Sequence, residues 1–268
     1  MFSHIGKLTG NHTITWGDEH MVSQKKSEWQ TEESAANYLQ RAKSAVPAAD
    51  LQFELIQKIV ESWCPNGVRV LDLGCGDGAI GRMLIEHFPN VEVIFADFSE
   101  AMLKAVRNKT LHEGRASVIK ADFSLPDWID SVAGHKPFDI VVSGLAIHHL
   151  PDNRKRELYA EIFGLLNIPG VFLNLELVAS ATPAGAAIFQ SFSVDYLYRF
   201  HKATNGTKTR AEIEEFYYTR PDRKEDIFAP VDEQCRWLRE IGFEDVDCFF
   251  KVFQWSIFGG RKTSNQSV

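Results

Sequence analysis

The sequence predicts an α/β fold: a doubly wound, mostly parallel seven-stranded sheet with an antiparallel hairpin at its C-terminal end, plus N-terminal helices and a helical cap insertion. Three observations carry this. An apolar run from residue 68 breaks into a glycine-rich acidic turn and then an amphipathic segment, which reads as strand, loop and helix. Apolar, β-branched runs then alternate with helical patterns as far as residue 178, the arrangement that builds a parallel sheet covered on both faces. Finally, residues 230 to 260 read as one helix followed by two strands.

Taken in order, residues 1–30 form a polar, flexible arm in which His4, His12 and His20 recur at a spacing that suits no ligand set on a helix. Residues 31–66 supply two helices, an earlier one over about 32–45 with Tyr38 and Arg41, and a second opened by Pro47. In the second, Leu51, Leu55, Ile56, Ile59, Val60 and Trp63 recur at helical spacing and face the sheet. The core occupies 67–178. Val68, Val70 and Leu71 suit a buried strand, and Ile80, Met83, Leu84 and Phe88 the helix that follows. Residues 91–96 are the second strand, which delivers Asp97 to its C-terminal end, and Ser99 caps the next helix. Strands at 116–120, 138–143 and 170–178 complete the parallel set, with a short helix near 125–129 and a longer one from Asp152. Glu176 near the end of the fifth strand reads as a solvated acid or as a group that meets a cationic or hydroxylated ligand.

Residues 179–229 interrupt the alternation with a run of aromatics, among them Phe189, Phe192, Tyr196, Tyr217 and Tyr218. They read as a cap over the ligand edge of the sheet, as a stacking surface for RNA bases, or as a dimer interface. Residues 230–260 close the fold, with Gly242 ending the last helix, Val246, Cys248, Phe250 and Val252 on one strand face, and Gly259-Gly260 ending the last strand. A disordered tail is expected over 261–268.

The chemistry centres on Asp72-Leu73-Gly74-Cys75-Gly76-Asp77-Gly78. Three alternate glycines let the backbone turn sharply and a ligand lie against it. Gly74-x-Gly76-x-x-Ala79 also fits the dinucleotide fingerprint, with Asp97 about 20 residues on. Charge separates the readings, because Asp72 and Asp77 beside the helix N-terminus would repel a pyrophosphate. A ligand with ribose hydroxyls, no phosphate and a cationic end fits instead, as S-adenosyl-L-methionine does. Asp97 is placed to accept from both ribose hydroxyls.

This motif resembles the first motif of the class I S-adenosylmethionine-dependent methyltransferases, in their small-molecule branch. The resemblance covers about 68–178 strongly and 230–260 moderately, and implies a Rossmann-like sheet closed by an antiparallel hairpin. It implies that Asp72, Gly74, Cys75, Gly76, Asp77, Gly78, Asp97, Phe98, Met102, Ala121, Asp122, Phe123, Ser143, Gly144 and Leu145 hold S-adenosyl-L-methionine and its product S-adenosyl-L-homocysteine. Asp122 would accept from the adenine amine, a donor that an ionised carboxylate suits. Tyr38 and Arg41 loosely resemble the N-terminal lid of some members. The paired His148 and His149 after the fourth strand stand where the family's small-molecule branch borders its methyl acceptor, and either would serve as a base or simply pack at the strand end. The junction is neither the Asn-Pro-Pro-Tyr type of amine methyltransferases nor the Pro-Cys of cytosine-C5 enzymes.

Composition bounds the rest. With 268 residues, 44% hydrophobic and 24% charged, the chain has the make-up of an ordinary globular protein. A formal charge of −7 argues against nucleic acid and anionic membrane as partners and favours a small-molecule acceptor. Cys64, Cys75, Cys235 and Cys248 show no metal or disulfide spacing, so the reading is reduced thiols in a cytoplasmic protein with no bound metal; a homodimer stays open. Alternatives are an RNA-directed or cofactor-modifying enzyme of the carboxy-S-adenosylmethionine type, a non-catalytic cofactor-binding protein, and an NAD(P) oxidoreductase.

Overall fold

The computed structural model describes residues 46–110 and 114–264. The arm at 1–30, the earlier N-terminal helix, Tyr38 and Arg41 lie outside the described residues. Helix α1 (Ala49–Trp63) leads into β1 (Arg69–Leu73), α2 (Ala79–His87), β2 (Glu92–Asp97), α3 (Glu100–Thr110), β3 (Ala116–Lys120), α4 (Trp128–Val132) and β4 (Phe138–Gly144). A 3₁₀ turn at Ile147–His149 precedes α5 (Asp152–Leu165) and β5 (Leu166–Leu177). The insertion folds as α6 (Pro183–Ala203), α7 (Arg210–Thr219) and a 3₁₀ turn at Pro221–Glu225, and α8 (Val231–Ile241), β6 (Glu244–Val252) and β7 (Trp255–Lys262) finish the chain. The sheet order is β3-β2-β1-β4-β5-β7-β6. Strands β1 to β5 pair in parallel, and β7 runs antiparallel to both β5 and β6.

Alternation along β1 sends Leu71 and Leu73 to one face and Val70 to the other. One core gathers Trp128 and Val132 of α4, Leu158, Tyr159 and Ile162 of α5, and Cys235 and Leu238 of α8. The opposite core gathers Ile56 and Val60 of α1, Ile80, Met83 and Leu84 of α2, and Leu103 and Val106 of α3. Three helices on each face leave only the strand ends for a ligand, and in such sheets the carboxyl ends are used. Asp139 fastens the entry to β1, its Oδ2 accepting from the amides of Val68 and Arg69 at 2.8 and 2.9 Å.

Several expectations are corrected. Val68 precedes β1 and is exposed rather than buried, and Leu51 points away from the sheet while Gln52 turns in and donates to the Pro47 carbonyl at 2.8 Å. The short helix begins at Trp128, whose ring fills the core, rather than at residue 125. Strand β5 begins at Leu166, directly after α5, because Leu166 already pairs with Phe138 before a bulge restores register at Val171. Register shifts also break the alternation expected on β6. Gly259 and Gly260 do not end the last strand; they lie inside β7, where a Cβ at Gly259 would stand 2.0 Å from the Phe172 carbonyl oxygen. Lys262 belongs to that strand and its Nζ donates to the carbonyls of Phe163 and Leu166 at 2.8 Å.

Candidate functional site

Gly74, Gly76 and Gly78 all take the left-handed conformation, with φ of 66°, 53° and 76°, which side chains resist. A Cβ at Gly74 would sit 2.5 Å from that of Ala146, so the glycine lets the first loop touch the segment after β4. Asp97 clasps the loop from β2: its Oδ2 accepts from the Gly76 amide at 2.9 Å and its Oδ1 from the Ser99 amide at 2.8 Å. Burial raises its pKa, and these amide bonds oppose the rise. Asp72 is deeper. It accepts from the Gly81 amide at 2.9 Å, and burial pushes its pKa up to about 8, so it holds a proton at neutrality.

Two free acids beside the turn were the expected bar to a pyrophosphate, and this is corrected. Asp77 pairs with Lys109 at 2.6 Å and Arg82 at 3.5 Å, and Asp72 is held neutral by burial. The carboxylate that faces the loop is Asp97. The topology now does what the charge argument did: an antiparallel β7 between β5 and β6 departs from the all-parallel 3-2-1-4-5-6 order of dinucleotide-binding sheets.

Asp122, half-buried after β3, uses Oδ1 to accept from the Ser124 amide at 3.0 Å and hydroxyl at 2.6 Å, while Oδ2 keeps its lone pairs. Ala121, Phe123, Cys75 and Met102 are buried, and Phe98 is partly exposed beside Asp97. Phe123 packs into the core under Gly74, and its carbonyl accepts from Arg154 Nε at 3.1 Å. Arg154 was not singled out in the sequence; a bidentate pair with Glu161 of the same helix, at 2.7 and 2.8 Å, holds its guanidinium there. Ser143 caps β1 by donating to the Leu73 carbonyl at 2.8 Å, Gly144 rests on Ile80, and Leu145 takes a positive φ of 54° to turn the chain toward the histidines.

That turn delivers the second half of the site. The solvated-acid reading of Glu176 is corrected: it is 1% exposed and grips His148, accepting from its backbone N–H at 2.9 Å and lying 2.5 Å from Nδ1. His148 is itself buried, and His149 lies 4.0 Å away, ring centre to ring centre. Burial drives the His149 pKa down to about 3, so His149 is neutral at any physiological pH. Asp226, from the end of the insertion, faces both rings and pairs with Arg220 at 2.8 Å. No local motif announces Glu176, Asp226 or Arg220, because they reach His148 from β5 and from the insertion.

The insertion lies over this edge. Phe192 packs on Phe253 and Trp255 at the β6–β7 turn, Tyr196 donates to the Val46 carbonyl at 3.2 Å, and the Ile227 amide donates to the His148 carbonyl at 2.8 Å.

Residues 71–172 match the family model for a methyltransferase domain. That stretch is similar to methyltransferase domains, and it spans β1 to β5 of the sheet. A carboxy-S-adenosyl-L-methionine synthase from Nautilia profundicola is 23% identical over 85% of this chain and 90% of its own length. A trans-aconitate 2-methyltransferase from Variovorax paradoxus is 30% identical over 42% of this chain and 39% of its own. Among solved structures, PigF with SAH shares the fold at a TM-score of 0.55 and 16% identity, over 87% of this chain. The chain spans about three fifths of the length of the first such structures. Among the described residues no helix is long and apolar enough to cross a membrane.

Proposed function

We propose that the methyltransferase domain moves a methyl group from S-adenosyl-L-methionine to a small-molecule acceptor and releases S-adenosyl-L-homocysteine. The observation that carries this is Asp97, whose two oxygens each hold a backbone amide at the carboxyl end of β2, with acceptor capacity left on each. In this reading the remaining lone pairs accept from the ribose hydroxyls, the glycine turn with Cys75 supports the nucleoside, and Asp77 braces the loop through Lys109. Asp122 Oδ2 accepts from the adenine amine, flanked by Phe98, Met102, Ala121 and Phe123. Ser143, Gly144 and Leu145 line the route from the cofactor to the histidines. The bound cofactor supplies a methyl group on a sulfonium, already a good electrophile, so the protein's contribution is mainly orientation.

His148 is the acceptor-side residue of choice. With its Nδ1 proton directed at Glu176, its Nε2 keeps a lone pair for the acceptor, and Glu176 fixes both ring and tautomer. The −7 charge supports a small molecule over nucleic acid, and four free thiols, with burial raising the pKa of each, support a cytoplasmic setting. Calorimetry tests the reading: heat with S-adenosyl-L-homocysteine and none with NAD(P) is expected, and the reverse would overturn it.

A second reading has its own support. The carboxy-S-adenosyl-L-methionine synthase from Nautilia profundicola aligns along 90% of its length, whereas the trans-aconitate enzyme aligns over 39% of its own. Modification of the cofactor itself would show in mass spectrometry of co-purified nucleoside as a carboxylated cofactor, and methyl transfer as the plain thioether product.

A further inference from the structure

We propose that His148, His149 and Asp226 form a binding site for a first-row divalent transition-metal ion, such as Zn²⁺, Co²⁺ or Fe²⁺, at the acceptor side of the domain. One donor atom from each of the three lies within 4.8 Å of the others. Asp226 Oδ1 stands 3.7 Å from His148 Nε2 and 3.8 Å from His149 Nδ1. These separations are too long for hydrogen bonds. They come close to the spacing of about 3.3–3.5 Å between donors that share one tetrahedral ion at metal–ligand distances near 2.1 Å.

The surroundings prepare the donors as a metal requires. Glu176 receives His148 at Nδ1 and so aims the Nε2 lone pair at Asp226, the carboxylate–histidine arrangement that orients metal ligands from behind. Ligation through His149 Nδ1 replaces a 3.3 Å contact with the Glu225 carbonyl. Arg220 holds Asp226 by Oδ2 at 2.8 Å, which leaves Oδ1 facing the rings. The nearby cations are Arg220 and Lys155; Asp222 pairs with Arg220 at 3.3 Å and Asp152 with Lys155 at 2.8 Å, so the ion enters a site whose positive neighbours already have counter-charges. Two imidazoles and one carboxylate favour a transition ion over Mg²⁺ or Ca²⁺ and leave coordination positions open. Those positions would hold an oxygen-bearing acceptor; that use rests on the methyl-transfer reading, whereas the binding of the ion does not.

The test uses the full chain freed of metal by a chelator and titrated with Co²⁺, followed by its visible absorption, with Zn²⁺ as competitor. One ion per chain is expected, with affinity at least about tenfold weaker in both Asp226→Asn and His149→Gln. His87→Gln, an exposed histidine paired with Glu61, should leave it unchanged. Absence of stoichiometric binding, or binding equally tight in Asp226→Asn and His149→Gln, overturns the proposal. Circular dichroism of each variant shows whether it is folded, and if His149→Gln does not fold, the outcome is decided on Asp226→Asn. Calorimetry with S-adenosyl-L-homocysteine runs in parallel: Co²⁺ binding without nucleoside binding sinks the cofactor reading alone, and nucleoside binding without Co²⁺ binding sinks the metal site alone.

Discussion

The two halves of the candidate site are built in opposite ways. Around Gly74 to Gly78 backbone amides donate to carboxylates, Gly81 to Asp72 and Gly76 and Ser99 to Asp97. Around His148 the partners come from β5 and from the far end of the insertion, and side chains meet side chains: Glu176, Asp226 and Arg220. A backbone cradle tolerates many side chains but few changes of shape. A buried side-chain network tolerates changes of shape but few changes of charge, since removing one partner strands the other.

The sharpest way to break the comparison is at Asp97. Asp97→Ala removes two amide bonds to a charged acceptor as well as the proposed ribose contact, and S-adenosyl-L-homocysteine affinity should fall by about 100-fold or more in calorimetry. A loss below about fivefold would show that the loop holds its shape without that carboxylate. Next comes Glu176→Gln, which keeps the volume but removes the charge behind His148. Methyl transfer should fall by roughly 10- to 100-fold with nucleoside affinity unchanged. A matching loss of affinity would mean that the two halves are one unit.

Asp72→Asn separates burial from charge. The folded pKa of about 8 lies above the unfolded carboxylate value, so the contribution of Asp72 to stability is fully present below about pH 4 and lost as pH rises toward 8. The Asn variant should therefore match the wild type near pH 4 and exceed it by roughly 3–5 kcal/mol at pH 8 in urea unfolding of the nucleoside-free protein. A stability gap that does not vary with pH would show that Asp72 ionises in the fold. The smallest effect is expected at Asp122→Ala, where one proposed bond to the adenine amine is lost and affinity should fall by about five- to tenfold.

The glycine half was legible because its function is local. Three glycines specify positive φ within one strand–loop–helix unit, and Gly74, Gly76 and Gly78 adopt it. Periodicity likewise located the helix of Leu158 and Ile162 and the helix of Cys235 and Leu238, since burial on one face is written in spacing. Where sequence reasoning failed, a distant contact had overridden the local signal. Gly259-Gly260 looks like a strand end, but those glycines lie within β7 because the backbone of Phe172 passes too close for any side chain. Asp77 looks like a free acid until the fold brings Lys109 beside it.

By itself the sequence determined the order of strands and helices, the shape of the ligand turn and the acid at the end of β2, since each follows from spacing and backbone preference. The partners of His148 were decided by tertiary structure alone. Glu176 and Asp226 stand far along the chain, and only the sheet order and the folding back of the insertion bring their charges into one buried space. Charge carries no record in local sequence of what will neutralise it; that depends on which surfaces the fold closes against each other.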